Sequence, residues 1–166
     1  MNNPKIKFTI KGFGEITAEL YPDKAPETVK NFLGLVESGF FSGLIFHRVI
    51  NGFMIQGGGF NEEFVQQRAT PIKGEFIANG FMSNDLRHTR GVLSMARTMD
   101  PNSASSQFFI MHRDAPHLDA QYAGFGKVVE GIEVVDKIAN VKTGSHGWYD
   151  DVPRVPVVIE SVVVVE

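Results

Sequence analysis

Phe46-His47-Arg48-Val49-Ile50-Asn51-Gly52-Phe53-Met54-Ile55-Gln56-Gly57-Gly58 is two short apolar runs joined at Asn51-Gly52. Asn-Gly tolerates the left-handed backbone of a tight turn, so the pair predicts a β-hairpin. A cation, Arg48, and an amide, Gln56, sit inside runs that otherwise suit burial. Burying such groups is costly unless each finds a partner, and a strand arginine ordinarily reaches the rim and pairs with a surface carboxylate. Register decides between these fates. A two-residue turn puts Arg48 and Gln56 on opposite faces, because side chains alternate along a strand. A three-residue loop (Asn51, Gly52, Phe53) pairs Ile50 with Met54 and Arg48 with Gln56. We expect the second register. It gathers a cation, an amide and a thioether on one face, with Phe53 free at the tip to turn over them.

Before the hairpin, Ile6–Ile10 and Glu15–Leu20 alternate apolar and polar residues around Lys11-Gly12-Phe13-Gly14, as two half-buried strands do. Pro26 suits the first turn of a helix, and Val29, Phe32, Leu33 and Val36 then share one face until Gly39 ends it. Gly57-Gly58-Gly59 lacks both the spacing and the following helix of a nucleotide loop and reads as a turn. Residues 60–90 read as a long polar loop region pinned by Ile72, Phe76, Ile77, Phe81 and Leu86. Strands follow at Gly91–Ala96, Ser106–Met111 and Phe125–Val129, and Gly131–Asn140 carries a second amphipathic helix. Thr143–Val152 reads as a loop whose Trp148 packs over a sheet edge, and Val155–Val165 as a long final strand pairing with the first. Serines near His112 and Asp114 raise a hydrolase triad, but no nucleophile elbow accompanies them.

Three motifs in order, Phe46–Gly58, Leu93-Ser94-Met95-Ala96-Arg97 and Ser106-Gln107-Phe108-Phe109-Ile110, closely resemble the cyclophilins, the peptidyl-prolyl cis-trans isomerases. Met95-Ala96-Arg97-Thr98 and the Asp151–Val162 end resemble the bacterial branch. The resemblance covers nearly the whole chain and implies one domain over 1–166. About eight strands and two helices agree with the fold it implies: mainly β, a closed eight-stranded antiparallel barrel capped by two α-helices. Periodicity alone does not separate a barrel from a sandwich.

The resemblance also implies the site. Arg48 would donate to the proline nitrogen, and Gln56 would orient the substrate backbone or support Arg48. Phe53, Met54, Phe109 and Leu118 would hold the proline ring. Ala96 and Arg97 would hold the peptide by main-chain bonds, and Thr98 would line the wall. Taken singly, Phe53, Phe109 and Leu118 would be ordinary core residues. Two positions depart from the family: His117 stands where many cyclophilins carry a tryptophan, and Tyr122 where many carry a histidine. That tryptophan gives an indole N–H to cyclosporin, so weakened cyclosporin binding with retained isomerase activity is implied. Partners would be proline-containing peptides and unfolded protein clients.

Composition sets the remaining bounds. In 166 residues, 16 basic and 19 acidic side chains give a net charge of -3, with no basic excess for nucleic acid or an anionic membrane. There is no cysteine for thiolate chemistry, and the five histidines show no metal spacing, so neither cofactor nor metal is expected. The start lacks a signal-peptide pattern, which suggests a cytoplasmic protein, expected to be a monomer. Fourteen phenylalanines spread through short alternating runs suggest a β-core lined with rings.

Overall fold

The computed structural model describes residues 3–165. Its strands are β1 (Lys5–Ile10), β2 (Gly14–Leu20), β3 (Arg48–Ile50), β4 (Met54–Gly57), β5 (Val92–Met95), β6 (Phe108–Met111), β7 (Gly124–Glu130), β8 (Thr143–His146), β9 (Tyr149–Pro153) and β10 (Ile159–Val165). The helices are α1 (Pro26–Glu37) and α2 (Ile132–Ala139). Eight strands form one antiparallel sheet in the order β10-β1-β2-β7-β5-β6-β4-β3.

The expected closed barrel is not what forms. The ladder stays open between β10 and β3, and only an isolated bridge, Ile45 to Val158, crosses that seam. Three further backbone bonds line it: Gly43 N–H to Ile159 O at 2.8 Å, Ile159 N–H to Leu44 O at 2.8 Å and Phe46 N–H to Val157 O at 3.1 Å. The opposing segments cannot extend this into a ladder. One bends at Gly39 and Gly43, both at positive φ, and the other contains Pro156, which has no N–H to donate. The same proline explains why the last strand begins at Ile159 rather than Val155. Its pairing with β1 is the expected one.

The sheet's concave face is lined with rings. Phe8, Phe32, Phe41, Phe46, Phe108 and Phe125 are fully buried, and contacting pairs have centroids 4.9 to 5.9 Å apart, several edge-to-face. Such arrangements suit the ring quadrupole, with its negative face and positive edge. Helix α1 starts at Pro26 and contributes Val29, Phe32 and Val36 to this core, while Leu33 is half-buried. Helix α2 buries Val134, Val135, Ile138 and Ala139 and packs against β2, β3 and β4. No helix among the described residues is long and apolar enough to cross a membrane.

Thr143–Val152 is not a loop but the hairpin β8–β9, and its turn leaves Trp148 98% exposed. Tyr149, one residue on, takes the covering role expected of Trp148. Its ring meets Phe60 at 5.4 Å and Phe64 at 5.2 Å beside the buried seam residues Ile45, Phe60 and Val158. Trp148 lies in the two-residue turn with Gly147 and not on β9, so its ring projects clear of the sheet while Tyr149, the first strand residue, packs back on it. His47 is buried against this cluster, 4.7 Å from the Phe60 ring, and its Nδ1 has no hydrogen-bond partner. Desolvation, helped by the neighbouring Arg48 charge, lowers its pKa to about 4.

Residues 60–90 are pinned more by polar groups than by the five apolar side chains. Phe76 is buried and Ile72 touches the main core, but Ile77 and Phe81 are only half-buried. Buried Glu75 accepts bonds from Thr28 N–H at 2.7 Å, Thr28 Oγ1 at 2.7 Å and Glu27 N–H at 3.2 Å. Those donors belong to the first turn of α1, which lacks a side-chain cap of its own. A carboxylate from 47 residues away therefore satisfies the orphan amides that every helix start exposes.

Candidate functional site

The observed hairpin register is the three-residue one. Arg48 pairs with Gln56, Val49 with Ile55 and Ile50 with Met54. Gly52 takes φ +83, and Phe53 N–H closes the loop on Ile50 O at 3.0 Å. Arg48, Met54 and Gln56 thus share a face, and Phe53 stands at the tip.

Strand β6 supplies the next wall. Met54 pairs with Met111 and Gln56 with Phe109. Along β6, Phe108 and Ile110 enter the main core, while Phe109 and Met111 face the other way into a separate cluster with Met54, Val92, Ala115 and Leu118. Strand alternation therefore removes Phe109 from the ordinary core. This second cluster floors an open hollow of about 140 Å³, bordered by Arg48, Phe53, Met54, Gln56, Ala96, Arg97, Phe109, Leu118 and Tyr122. An apolar cavity of about 150 Å³ holds benzene, so a five-membered ring has room here.

At the rim, the exposed Arg48 side chain donates from Nη1 to Gln56 Oε1 at 3.4 Å, and Gln56 Nε2 donates to Gln107 Oε1 at 3.1 Å. Among the described residues no carboxylate pairs with Arg48, so it does not make the ordinary surface ion pair. A guanidinium beside an apolar hollow can donate to a polar atom of whatever occupies it.

A family model described as "Cyclophilin type peptidyl-prolyl cis-trans isomerase/CLD" matches residues 5–164. The chain belongs to the cyclophilin family of peptidyl-prolyl cis-trans isomerases. It is 53% identical over 156 residues to a peptidyl-prolyl cis-trans isomerase of Acinetobacter baylyi, covering 90% of this chain and 79% of that one. To peptidyl-prolyl cis-trans isomerase B of Escherichia coli it is 50% identical over 163 residues, covering 92% and 95%. The crystal structure of a Cryptosporidium parvum cyclophilin-type isomerase superposes with a TM-score of 0.82 at 28% identity, covering 99% of this chain and 98% of that one. That protein has also been crystallised in the presence of the dipeptide Ala-Pro, and superposes with a TM-score of 0.81.

In this cyclophilin, two of the eleven residues singled out from sequence lie outside the hollow. Thr98 lines an adjoining polar groove of about 470 Å³ with Gln66, Gln67, Arg68, Ser103 and Ser105, and its hydroxyl bonds Ser103 Oγ at 2.9 Å. His117 is exposed and stacks on the outer side of Phe53, with centroids 5.7 Å apart. Arg97 stands between the two depressions as a strut. Its guanidinium lies 4.7 Å from the ring centroids of both Phe76 and Tyr122 and donates to Thr98 O at 3.0 Å and Gln121 O at 2.7 Å. The side chain so ties the 60–90 region to the pocket wall, a use not foreseen from sequence.

Sequence reasoning also missed a buried polar chain beneath Phe109. His88 Nε2 meets Ser94 Oγ at 2.8 Å, and its Nδ1 meets Asp119 Oδ1 at 3.2 Å. Burial pushes the His88 pKa down against the upward pull of Asp119. The order imitates a hydrolase triad, but Ser94 is 0% exposed and no substrate can reach it. The imidazole instead backs Phe109, with centroids 6.1 Å apart. The available signal was Ser94 itself, a hydroxyl in the apolar strand Val92–Met95 that required a buried partner. The other suspected triad is absent: Ser106 Oγ is bonded to Gly58 O, and His112 points elsewhere.

Proposed function

We propose that this isomerase acts by aiming the Arg48 guanidinium at the proline nitrogen of an X–Pro bond held in the 140 Å³ hollow. Rotation about a peptide bond costs about 18–20 kcal/mol because conjugation is lost at the midpoint. For X–Pro, uncatalysed exchange takes roughly tens to hundreds of seconds. At the twisted midpoint the nitrogen recovers its lone pair and accepts a hydrogen bond; in either planar isomer it is a poor acceptor. A donor fixed at that nitrogen therefore favours the transition state over substrate and product alike. Arginine stays charged and offers its N–H groups in a rigid fork. A charge-assisted bond of about 1.5–3 kcal/mol is roughly tenfold to a hundredfold in rate.

The observation that carries this reading is the pairing of Arg48 with Gln56 beside Met54 and Phe109, which puts a cation that no carboxylate of the described residues pairs at the lip of an apolar hollow. Gln56, held by Gln107, limits the swing of the guanidinium. Phe53, Met54, Phe109 and Leu118 hold the ring still while the preceding carbonyl turns. Ala96 N–H is already bonded to Gln107 O at 3.0 Å, so an extended peptide would meet the Ala96 carbonyl and the Arg97 amide. Thr98 and the polar groove would receive side chains preceding the proline. Proline-containing peptides and unfolded chains are the substrates, and assisted folding of proline-limited clients follows. With His117 in place of the indole donor, cyclosporin binds weakly.

The competing reading is a receptor for proline peptides without catalysis. Exchange NMR on a short X–Pro peptide separates the two. An isomerase at a small fraction of the peptide concentration speeds cis-trans exchange and leaves the isomer ratio unchanged. If exchange stays at the uncatalysed rate while peptide resonances shift on binding, the receptor reading stands and the isomerase reading falls.

A further inference from the structure

The tip of the hairpin, which carries Phe53, is clamped by a chain of side chains that the reaction itself does not use. Gly52 N–H donates to Nδ1 of His112 at 2.9 Å. A backbone N–H can only donate, so Nδ1 is the unprotonated nitrogen and Nε2 carries the hydrogen. That Nε2 lies 3.1 Å from Asp136 Oδ1 on α2. Arg90 fixes the same carboxylate with two bonds of 2.7 Å, and also donates to His112 O at 2.9 Å. His112 and Arg113 N–H groups both approach Phe53 O, at 2.9 and 3.3 Å. On the far side Asn51 Nδ2 bonds Ala139 O at 3.0 Å and Asn140 Oδ1 at 2.8 Å. Residues 51–53 are therefore tied at each position, and His112, 3% exposed, joins their backbone to α2 through Asp136.

We propose that His112 is a positioning residue for the isomerase, its neutral imidazole fixing Gly52 and hence the Phe53 ring over the proline hollow, with Asp136 and Arg90 fixing the imidazole. This rests on the reading that Phe53 covers the substrate ring. Protonation would put a second N–H at Nδ1 against the Gly52 N–H, and the bond would break. The charged groups facing the imidazole are Asp136 from α2, Arg90 from the segment before β5, and Arg113 beside it; Asp114 binds the Arg90 backbone N–H. Burial and then Arg113 lower the His112 pKa, more than Asp136 raises it. The imidazole is thus still neutral and the clamp intact at the ordinary histidine value of 6.5, and the clamp opens only as pH falls further, through the lowered pKa.

The test uses the full chain in three forms: wild type, His112→Asn and His112→Leu. Asparagine offers an amide oxygen near the Nδ1 position and does not titrate; leucine offers no acceptor. Exchange NMR on an X–Pro peptide is measured from pH 5 to pH 8, with Gly52 amide shifts followed in the same samples. At pH 7.5 we expect kcat/KM for His112→Leu to fall about fivefold or more, and His112→Asn to stay within about twofold of wild type. On acidification wild type should lose activity in step with a movement of the Gly52 amide. His112→Asn should lack that component. A wild-type profile parallel to that of His112→Asn, with a Gly52 amide that does not titrate, overturns the proposal. If His112→Leu does not fold, that comparison still decides it. Absence of any wild-type catalysis would instead refute the isomerase reading, while the Gly52 titration would still report on the clamp.

Discussion

Glu75→Ala removes a carboxylate that reaches the backbone amides at the start of α1. Three donors lose their acceptor at once: Thr28 N–H, Thr28 Oγ1 and Glu27 N–H. A bond to a charged acceptor contributes about 1.5–3 kcal/mol, and an anion at a helix N-terminus about 0.3–1 kcal/mol more. The three bonds share one carboxylate and the Glu27 amide is only part-buried, so they do not add; a loss of about 3 kcal/mol is expected. At about 2–4 °C per kcal/mol for a chain of this size, Tm should fall by roughly 6–12 °C. Glu75→Gln keeps one acceptor oxygen and should lose about half as much. Circular dichroism melts at fixed pH and salt provide the assay. The effect should reach the site as well, because Phe76, next in sequence, carries the Arg97 guanidinium on its ring. A fall of less than about 2 °C for Glu75→Ala would refute the idea that this carboxylate holds residues 60–90 to α1.

Acid should weaken the protein through His47. Its pKa falls from 6.5 in the unfolded chain to about 4 in the folded one, so between these values the unfolded state binds more protons. The His47 contribution is then complete above pH 6.5 and is lost at about 1.4 kcal/mol per pH unit, a total of roughly 3 kcal/mol by about pH 4. Denaturant titrations of wild type and His47→Phe across that window should show a shallower decline in the variant; equal slopes would exclude His47 as a source. For cyclosporin, His117→Trp should tighten binding about tenfold by calorimetry, at about 1.4 kcal/mol for the added donor and ring, with peptide exchange little altered. Unchanged or weaker binding would show that position 117 does not govern the drug.

Much of the fold was legible because its cause is local. Alternation placed β1 and β2, Pro26 and Gly39 bracketed α1, and the three-residue loop Asn51-Gly52-Phe53 set the register that brings Arg48 to Gln56. Barrel closure was misread because it depends on whether Gly43 and Pro156, far apart in sequence, meet in a seam that can carry a ladder. Trp148 was misplaced because the turn of β8–β9 decides which neighbour faces inward, and that register has no strong turn signal. The pocket wall was legible through the three motifs, but its supports were not. Glu75, His88, Ser94 and His112 act through partners 6 to 60 residues away, and spacing carries no information about such pairs. Arg97 was read as a peptide-holding position; that two rings and two carbonyls also hold its side chain follows only from tertiary contacts.

The role given to Arg48 is tested most directly by Arg48→Ala, with the cis-trans exchange rate and the affinity for one X–Pro peptide read in the same NMR titration. On the proposed mechanism the guanidinium would bond the nitrogen only at the twisted midpoint, so kcat should fall about tenfold to a hundredfold while Kd moves by less than about threefold. A fall in affinity equal to the fall in rate, or a rate that survives the substitution, would contradict it.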